Sequence, residues 1–165
     1  MYSLEEFDEA KTKVLKYILY KKRTENEVKV KFSRVMQEDL LNDVIDYLKD
    51  AGYINDNEYV KKEINQICAL KNLSLREIRY KLSSKGISKD KIEDYMSENR
   101  DEMLEYEEKS ASNIFFKKSS TMEKDEIKNY LIKKAIIRKV YKKQWRNNNG
   151  RNFNTRNKKI FYKNR

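Results

Sequence analysis

Two similar segments of this sequence carry basic residues whose types and spacing suit the binding of anionic groups. The segment TENEVKVKF starts at Thr24 and SLREIRYKL starts fifty residues later at Ser74, with hydroxyl, glutamate, apolar and basic positions in register. The cations of these two segments and their ends are Lys29, Lys31, Arg34, Arg76, Arg79, Lys81 and Lys85. Because lysine and arginine bind carboxylates and phosphates, we treat these residues as candidate contacts to a protein partner or to DNA.

The last quarter of the chain carries a second set of cations. Residues 127–165 hold 14 of the 38 lysines and arginines and none of the 27 acidic residues, which accounts for the whole net charge of +11. Aromatic rings are interspersed there, and this combination suits a polyanion because cations release counterions from phosphates while rings stack on bases. The candidate nucleic-acid contacts in this region are Arg138, Lys139, Lys142, Lys143, Trp145, Arg146 and Arg151. A basic tail that only keeps the protein soluble is the alternative interpretation.

The sequence offers little for catalysis. It contains no histidine, which excludes an imidazole base and a histidine ligand for zinc. Cys68 lies beside Ile64 and Ile67 in an apolar helical stripe, so we interpret it as a packed core thiol. The acidic residues that could hold Mg²⁺ are interpreted instead as a solvated helix face: Asp101, Glu102, Glu105, Glu107 and Glu108. We therefore expect no enzyme activity, no metal and no other cofactor.

The composition predicts an all-α fold that positions these residues. The 165 residues include no proline and three glycines, and 39% of them are charged, which favours long helices over turn-rich β structure. A hydroxyl residue followed three positions later by Glu predicts capping boxes at Thr24 and Ser74. Gly52 and Gly86 are each followed by an apolar residue, as at left-handed helix ends.

Hydrophobic periodicity groups the predicted helices into tandem three-helix units of about fifty residues. We expect Asn55 or Asp56, and later Ser88, to cap helices of the second unit. The predicted divisions are 1–52 and 53–98 for two regular units, 99–146 for an irregular third unit, and 147–165 for a basic, Asn-rich, disordered tail. Each unit should leave an apolar flank that its neighbour covers, which gives an elongated stack.

The third unit departs from this pattern. A helix is predicted over about 99–118, and EIKNYL (126–131) echoes EIRYKL of the second unit. The segment KKAIIRKVYKK then continues without a glycine or a capping residue, and its apolar stripe points away from the preceding one. This change of phase predicts either a helix break near 133–135, which we favour, or one long helix that is packed on two sides.

Three segments stand in a recognisable order: RTENEVKVKF (23–32), LKDAGYINDNEYV (48–60) and SLREIRYKLSSKGIS (74–88). Together they resemble the RecX family, bacterial regulators of the RecA recombinase. The first is similar to the family's Arg-[Ser/Thr]-x-x-Glu-[Leu/Val] stretch, the second to its Gly-Tyr signature, and the third to its basic helix ending in Lys-Gly-Ile. The match covers residues 10–96, whereas the Gly-[Phe/Tyr] turn of the family's third repeat is missing between Lys134 and Ile136.

The resemblance implies an elongated crescent of three helix-turn-helix-like repeats, with a shortened or irregular third repeat in this chain. Family members dock in the groove of the recombinase filament on single-stranded DNA, and they usually suppress strand exchange, ATP hydrolysis and filament growth. They act in homologous recombination, DNA repair and the SOS response without being enzymes. The expected partners are therefore a RecA filament and, weakly or through the filament, single-stranded DNA.

Two other functions stay open at this point. A stand-alone DNA- or RNA-binding protein would depend on the basic tail, and its binding would weaken steeply with salt. A helical adaptor for an acidic protein or an anionic membrane surface is less well supported, because residues 127–145 lack a clean amphipathic basic face. The sequence has no run of 18 apolar residues and no signal-peptide core, so we expect a cytoplasmic monomer that does not enter a membrane.

Overall fold

The described part of the chain is all-α. A computed structural model describes residues 2–134 and 136, and this part holds eight α-helices and no strand. The helices are α1 (Leu4–Tyr20), α2 (Glu25–Phe32), α3 (Glu38–Asp50), α4 (Asp56–Leu70), α5 (Leu75–Ser83), α6 (Lys89–Glu98), α7 (Arg100–Lys118) and α8 (Lys124–Lys133). The arrangement confirms the predicted class of tandem helical units, which we call the first (α1–α3), second (α4–α6) and third (α7 and α8).

The predicted capping boxes begin α2 and α5. The Oγ1 of Thr24 accepts a hydrogen bond from the Glu27 backbone N–H at 3.1 Å, and the Glu27 carboxylate accepts one from the Thr24 N–H at 3.2 Å. Ser74 and Glu77 make the same reciprocal pair at 3.2 and 2.8 Å. Both hydroxyl residues are buried, so each capping box fixes a helix start inside the fold.

Asn55, rather than Asp56, caps α4. Its Oδ1 accepts a hydrogen bond from the Glu58 N–H at 3.0 Å. Ser88 caps α6 as predicted, with its Oγ accepting from the Lys91 N–H at 3.4 Å. Because Asn55 supplies the cap of α4, the carboxylate of Asp56 is available for a contact with another helix.

The two predicted glycine turns close α3 and α5. Gly52 and Gly86 have φ angles of 76° and 77°, in the left-handed region that side chains rarely adopt. Ile87, directly after Gly86, is buried, whereas after Gly52 the exposed Tyr53 comes first and the buried residue is Ile54. Each turn therefore folds the chain back over the core of its own unit, as the C-cap pattern predicted.

Helix α2 ends at Phe32, because the amides of Val35 and Met36 both donate to the Phe32 carbonyl at 3.0 Å and fold the chain into a turn. Met36 packs against the first core, whereas Arg34 and Val35 are exposed. The early turn thus leaves Arg34 on the surface at the end of α2.

Three apolar cores follow one another along the chain. The first lies between α1, α2 and α3, and its fully buried side chains include Val14, Val28, Val44, Ile45 and Leu48. The second lies between α4, α5, α6 and the first half of α7, and it includes Ile64, Ile67, Ile78, Leu82 and Ile92. The third lies between α7 and α8 and includes Ala111, Ile114, Phe115, Ile127, Leu131 and Ile136. Helix α7 therefore serves two cores and joins the second unit to the third.

The third unit turns where the change of apolar phase predicted a break. Helix α8 ends at Lys133, and Ile136 lies beyond the helix with its amide donating to the Leu131 carbonyl at 3.2 Å. The Ile87 amide makes the equivalent bond to the Leu82 carbonyl at 3.3 Å after α5. Both isoleucines are buried. The third unit therefore begins its turn as the second does, although its sequence lacks the glycine.

Cys68 packs against the second core, as predicted, but its side chain is half-buried rather than enclosed. Burial raises the pKa of its thiol, and the nearby carboxylate of Glu102 adds to this shift. A thiol with a raised pKa is a poor nucleophile at neutral pH because little of it is thiolate. The environment thus fits the packing role better than a reactive one.

Candidate partner interface

The second helices of successive units meet end to end. The turn that follows α5 lies against the start of α2, where the Thr24 hydroxyl donates to the Lys85 carbonyl at 2.7 Å. The Nζ of Lys85 also donates to Oε1 of Glu27 at 2.8 Å. The negative end of one helix dipole therefore faces the positive end of the next, which is the favourable orientation.

The junction between the second and third units repeats this contact. The Nζ of Lys134, just beyond α8, donates to the Glu77 carboxylate at 2.9 Å and to the Asn72 carbonyl at 3.4 Å. Glu77 follows Glu27 by 50 residues and Lys134 follows Lys85 by 49, so the two pairs are equivalent. Helices α8, α5 and α2 thus meet in succession near their ends, and we call these three helices the helix row.

A buried carboxylate from the following unit accepts a hydrogen bond from the first amide of α2 and of α5. Asp56 in α4 accepts a hydrogen bond from the Glu25 N–H at 3.0 Å and also pairs with Lys91 at 3.3 Å. Glu107 in α7 accepts one from the Leu75 N–H at 3.0 Å. The first amides of a helix have no partner within it, so these acids satisfy donors that the fold buries.

The interpretation of Glu107 as part of a solvated acidic face is therefore wrong. Its side chain is fully buried. The sequence does hold a signal for this placement, because Glu107 lies four residues after Met103 and seven before Ile114, on the apolar stripe of its helix. A carboxylate on an apolar stripe predicts a specific buried partner, and here that partner is a helix start.

The glutamates of the two capping boxes have lowered pKa values. Burial alone would raise the pKa of Glu27, but hydrogen bonds from Lys85 and from the cap backbone outweigh it. Burial likewise opposes the shift at Glu77, where the hydrogen bonds from Lys134 and from the cap backbone prevail. A lowered pKa stabilises the folded state above the ordinary glutamate pKa of 4.5, and this contribution is lost as pH falls through the folded-state value.

Replacing Lys85 with glutamine should therefore make stability less sensitive to acid. Between about pH 7 and about pH 3.5, we expect the variant to lose about 0.5 kcal/mol less unfolding free energy than the unmodified protein, because Glu27 then titrates nearer its ordinary pKa. Urea unfolding followed by circular dichroism at both pH values measures this difference. Lys61→Gln removes an exposed lysine elsewhere and should leave the pH dependence unchanged. Equal pH dependence in the Lys85 and Lys61 variants would contradict the assignment.

Four of the seven cations predicted as partner contacts are engaged within the fold. Lys29 pairs with Glu25 at 2.7 Å, and Lys85 pairs with Glu27 across the first junction. Within the second unit, Arg79 binds Glu93 through two hydrogen bonds at 2.7 and 3.1 Å, and Lys81 pairs with Glu63. Contact of these four residues with a partner remains a prediction. A partner's acidic group would have to displace the carboxylate that each of them already binds within the fold.

The other three predicted cations are Lys31, Arg34 and Arg76. All three are exposed, and none has an ion pair within the described residues. Exposed apolar side chains lie four residues from two of them in sequence: Val30 precedes Arg34, and Tyr80 follows Arg76. Residues four apart on a helix are neighbours, so Arg76 and Tyr80 lie side by side on α5, whereas Arg34 lies in the turn beyond the end of α2.

We give the name row face to five exposed residues of the helix row: Val30 and Arg34 on or beside α2, Arg76 and Tyr80 on α5, and Ile132 on α8. The exposed fractions are 67% for Val30, 78% for Tyr80 and 48% for Ile132. Arginine and tyrosine are enriched among the residues that dominate binding at protein interfaces. These residues therefore suit a partner whose surface combines apolar side chains with carboxylates or phosphates.

The predicted nucleic-acid contacts from Arg138 to Arg151 lie outside the described residues. Within the described part, no group of acidic or cysteine side chains is arranged to hold a metal ion. No helix in that part combines the length and the apolar character needed to cross a membrane.

Comparison with known proteins identifies relatives that share one name. The chain is 37% identical over 97 residues to the regulatory protein RecX of Finegoldia magna, covering 58% of this chain and 47% of the relative. It is 32% identical over 117 residues to the regulatory protein RecX of Clostridium botulinum, covering 70% of this chain and 53% of the relative. The chain thus spans about half the length of these curated relatives. No family model matches it.

Solved structures share the fold. The crystal structure of RecX from Lactobacillus salivarius is similar with a TM-score of 0.70 at 24% identity, over 84% of this chain and 93% of that one. Another crystal structure of a regulatory protein RecX gives a TM-score of 0.71 at 20% identity, over 83% of this chain and 70% of that one. At this level of identity the similarity concerns the fold, and it agrees with the tandem helical units described above.

Proposed function

Because this chain belongs to the RecX family, as its motifs predicted, we propose that it is a non-enzymatic inhibitor of a RecA-type recombinase. The relatives it matches are named regulatory proteins. In the proposed mechanism the helical stack lies along the groove of the recombinase filament on single-stranded DNA. There it blocks filament growth, ATP hydrolysis and strand exchange.

The observation that carries this proposal is the repetition of the row face. The exposed apolar side chains Val30 of α2 and Tyr80 of α5 lie fifty residues apart at equivalent positions, and an exposed arginine without an ion pair in the described residues, Arg34 or Arg76, lies on or just beyond each of these helices. A filament offers the same surface on each of its subunits, so a repeating face can bind equivalent positions on neighbouring subunits. Linked contacts of this kind bind far more tightly than one contact alone.

The junctions supply the rigidity that such a mechanism needs. Each one combines an ion pair, a capped helix start and a buried carboxylate, so the spacing between second helices is held by several independent contacts. A stiff ligand that spans two subunits opposes any rearrangement that changes their separation. ATP hydrolysis and strand exchange would then stop because neighbouring subunits could not move relative to each other.

Single-stranded-DNA-dependent ATP hydrolysis by the recombinase of the same organism tests the proposal. The unmodified protein should inhibit well below one molecule per recombinase, and added DNA should not relieve the inhibition. We expect Arg76→Glu and Tyr80→Ala each to raise the concentration for half-inhibition about tenfold, the effect of losing one strong interface contact. The helical circular dichroism signal should not change.

Arg100→Glu is the matched control, since Arg100 is exposed at the start of α7 and lies outside the row face. It should inhibit like the unmodified protein. Arg79→Glu and Lys81→Glu are less suitable, because they would also break ion pairs inside the second unit. Unchanged inhibition by both row-face variants, or an equal loss with Arg100→Glu, would rule out the row face as the docking surface.

A stand-alone nucleic-acid binder is the second candidate function, and the uneven charge favours it. Residues 127–165 hold 14 cations and no acid, a composition that binds phosphates without a protein partner. If inhibition vanished on adding excess DNA and on removing residues 147–165, competition for DNA would explain the effect and this second function would take precedence.

A further inference from the structure

The first junction contains an open cleft that none of the preceding arguments uses. It lies between the loop joining α1 to α2 and one side of α4. Four cations line it, Lys21, Lys22 and Arg23 from the loop and Lys62 from α4, together with the rings of Tyr53 and Tyr59. The combination of cations and rings is that of a site for an anion attached to a planar group.

Arg23 lines the cleft and has a hydrogen-bond donor without a partner among the described residues. Its guanidinium lies over the ring of Tyr17, 4.6 Å from the ring centre, and its Nη1 is 3.8 Å from Oε1 of Glu27, which is beyond hydrogen-bond distance. Its Nε is buried and has no hydrogen-bond partner in the described part of the protein. Buried donors are almost always paired, and the planar fork of arginine matches the oxygens of a phosphate or a carboxylate.

The charges around the cleft leave it electropositive. Two glutamates also line it: Glu58 pairs with Lys22 at 3.4 Å, so these two charges offset each other, and Glu63 pairs with Lys81 from outside the cleft. Lys21 and Lys62 are exposed and have no ion pair within the described residues. An anion in the cleft would thus meet cations from the loop on one side and from α4 on the other.

The second junction has the same repeated arrangement of helices but, within the described residues, no such cleft. There, the equivalent loop is closed by side chains of α7. The hydroxyl of Tyr106 accepts from the Leu73 N–H at 2.9 Å and donates to the Lys71 carbonyl at 3.1 Å, while Ser110 donates to the Leu73 carbonyl at 3.3 Å. In the first junction the facing side of α4 carries Tyr59 and Lys62 instead, and the cleft remains.

We propose that this cleft binds a phosphate of single-stranded nucleic acid, with Arg23, Lys21 and Lys62 supplying the positive charge. The ring of Tyr53, 45% exposed at the edge of the cleft, stacks on the adjoining base. The ring favours nucleic acid over an acidic peptide, because base stacking on tyrosine contributes to binding without regard to sequence. The inference does not depend on the recombinase, since DNA alone is the ligand.

Fluorescence anisotropy of a labelled oligothymidylate, titrated with the full chain at several salt concentrations, tests the inference. Lys21→Gln combined with Lys62→Gln should weaken binding about tenfold at low salt, and the slope of log affinity against log salt should shrink by about 1.4, or about 0.7 per lost phosphate contact. Arg23→Lys keeps the charge but loses the fork, and it should weaken binding with little change in slope. Lys13→Gln combined with Lys16→Gln removes the same charge from α1 and should have little effect.

Three results would overturn the inference. An equal loss in the cleft and α1 double variants would show that total charge, and not the cleft, governs binding. A labelled polyglutamate peptide that binds with the same sensitivity to the cleft variants would assign the site to an acidic protein. An oligonucleotide that contains the photoreactive base 4-thiothymidine should cross-link to a peptide containing Tyr53. Cross-links confined to residues 127–165 would likewise contradict the assignment.

Discussion

Replacing Glu107 with alanine is expected to lower the free energy of unfolding by about 3 kcal/mol, because it leaves a buried amide unpaired and opens a cavity. The carboxylate is fully buried, and its Oε1 accepts a hydrogen bond from the Leu75 N–H at 3.0 Å. That amide is the first of α5, and among the described residues its acceptor comes from the following unit. Urea unfolding at neutral pH, followed by circular dichroism, measures the loss.

Two further variants separate the hydrogen bond from the general effect of mutating α7. Glu107→Gln keeps an acceptor oxygen of nearly the same shape and should lose about 1 kcal/mol. Glu105→Ala removes an exposed carboxylate from the same helix and should stay within about 0.5 kcal/mol of the unmodified protein. If Glu107→Ala were no more destabilising than Glu105→Ala, the brace between the second and third units would be wrong.

Local features of this fold could be predicted because their causes lie within a few residues. The capping boxes at Thr24 and Ser74 need only a hydroxyl and a glutamate three positions later. The turns at Gly52 and Gly86 need only a glycine before an apolar residue. The break after Lys133 follows from a change of apolar phase, which periodicity detects without a glycine.

The junctions could not be predicted because their partners are far apart in sequence. Asp56 reaches an amide 31 residues earlier and Glu107 reaches one 32 residues earlier. Sequence patterns identify which residues share a helix face, but they carry no information on which helix end a carboxylate will meet. The sequence shows that Glu27 and Glu77 are 50 residues apart and that Lys85 and Lys134 are 49 apart. Only the structure shows that the glutamates pair with the lysines across the junctions.

At the candidate site, too, the features set by nearby residues could be predicted and those set by distant residues could not. The sequence identified cations on the correct helices but could not distinguish Arg76, which is unpaired, from Arg79, which is bound to Glu93. Both have the same type and nearly the same position, and the difference depends on a carboxylate of another helix. Arg23 was noticed only as part of a motif, because a buried donor without an acceptor is a property of the folded state.

A comparison of Gly86→Ala with Gly52→Ala tests how tightly the first two units are joined. The two glycines have nearly the same φ, 77° and 76°, so the backbone cost of alanine should be similar at both, about 1 kcal/mol. Their surroundings differ. A Cβ at Gly52 would meet no atom within 4 Å, whereas a Cβ at Gly86 would overlap the Cβ and carboxamide of Asn26 in α2 of the neighbouring unit.

Gly86→Ala should therefore lose about 3 kcal/mol in total, since overpacking adds to the backbone strain. The Cβ of Asn26 cannot rotate away, so α2 must shift from the end of α5 and stretch the bond from Thr24 to the Lys85 carbonyl. Asn26→Gly removes the obstructing atoms, and in the Gly86→Ala background it should restore about 1 kcal/mol despite the added flexibility of glycine. Equal losses at Gly52 and Gly86, or no coupling between positions 26 and 86, would mean that the units are not in close contact at this turn. A confirmed coupling would identify Gly86 as the position that lets the second helices approach end to end, and thus as a determinant of the spacing of the row face.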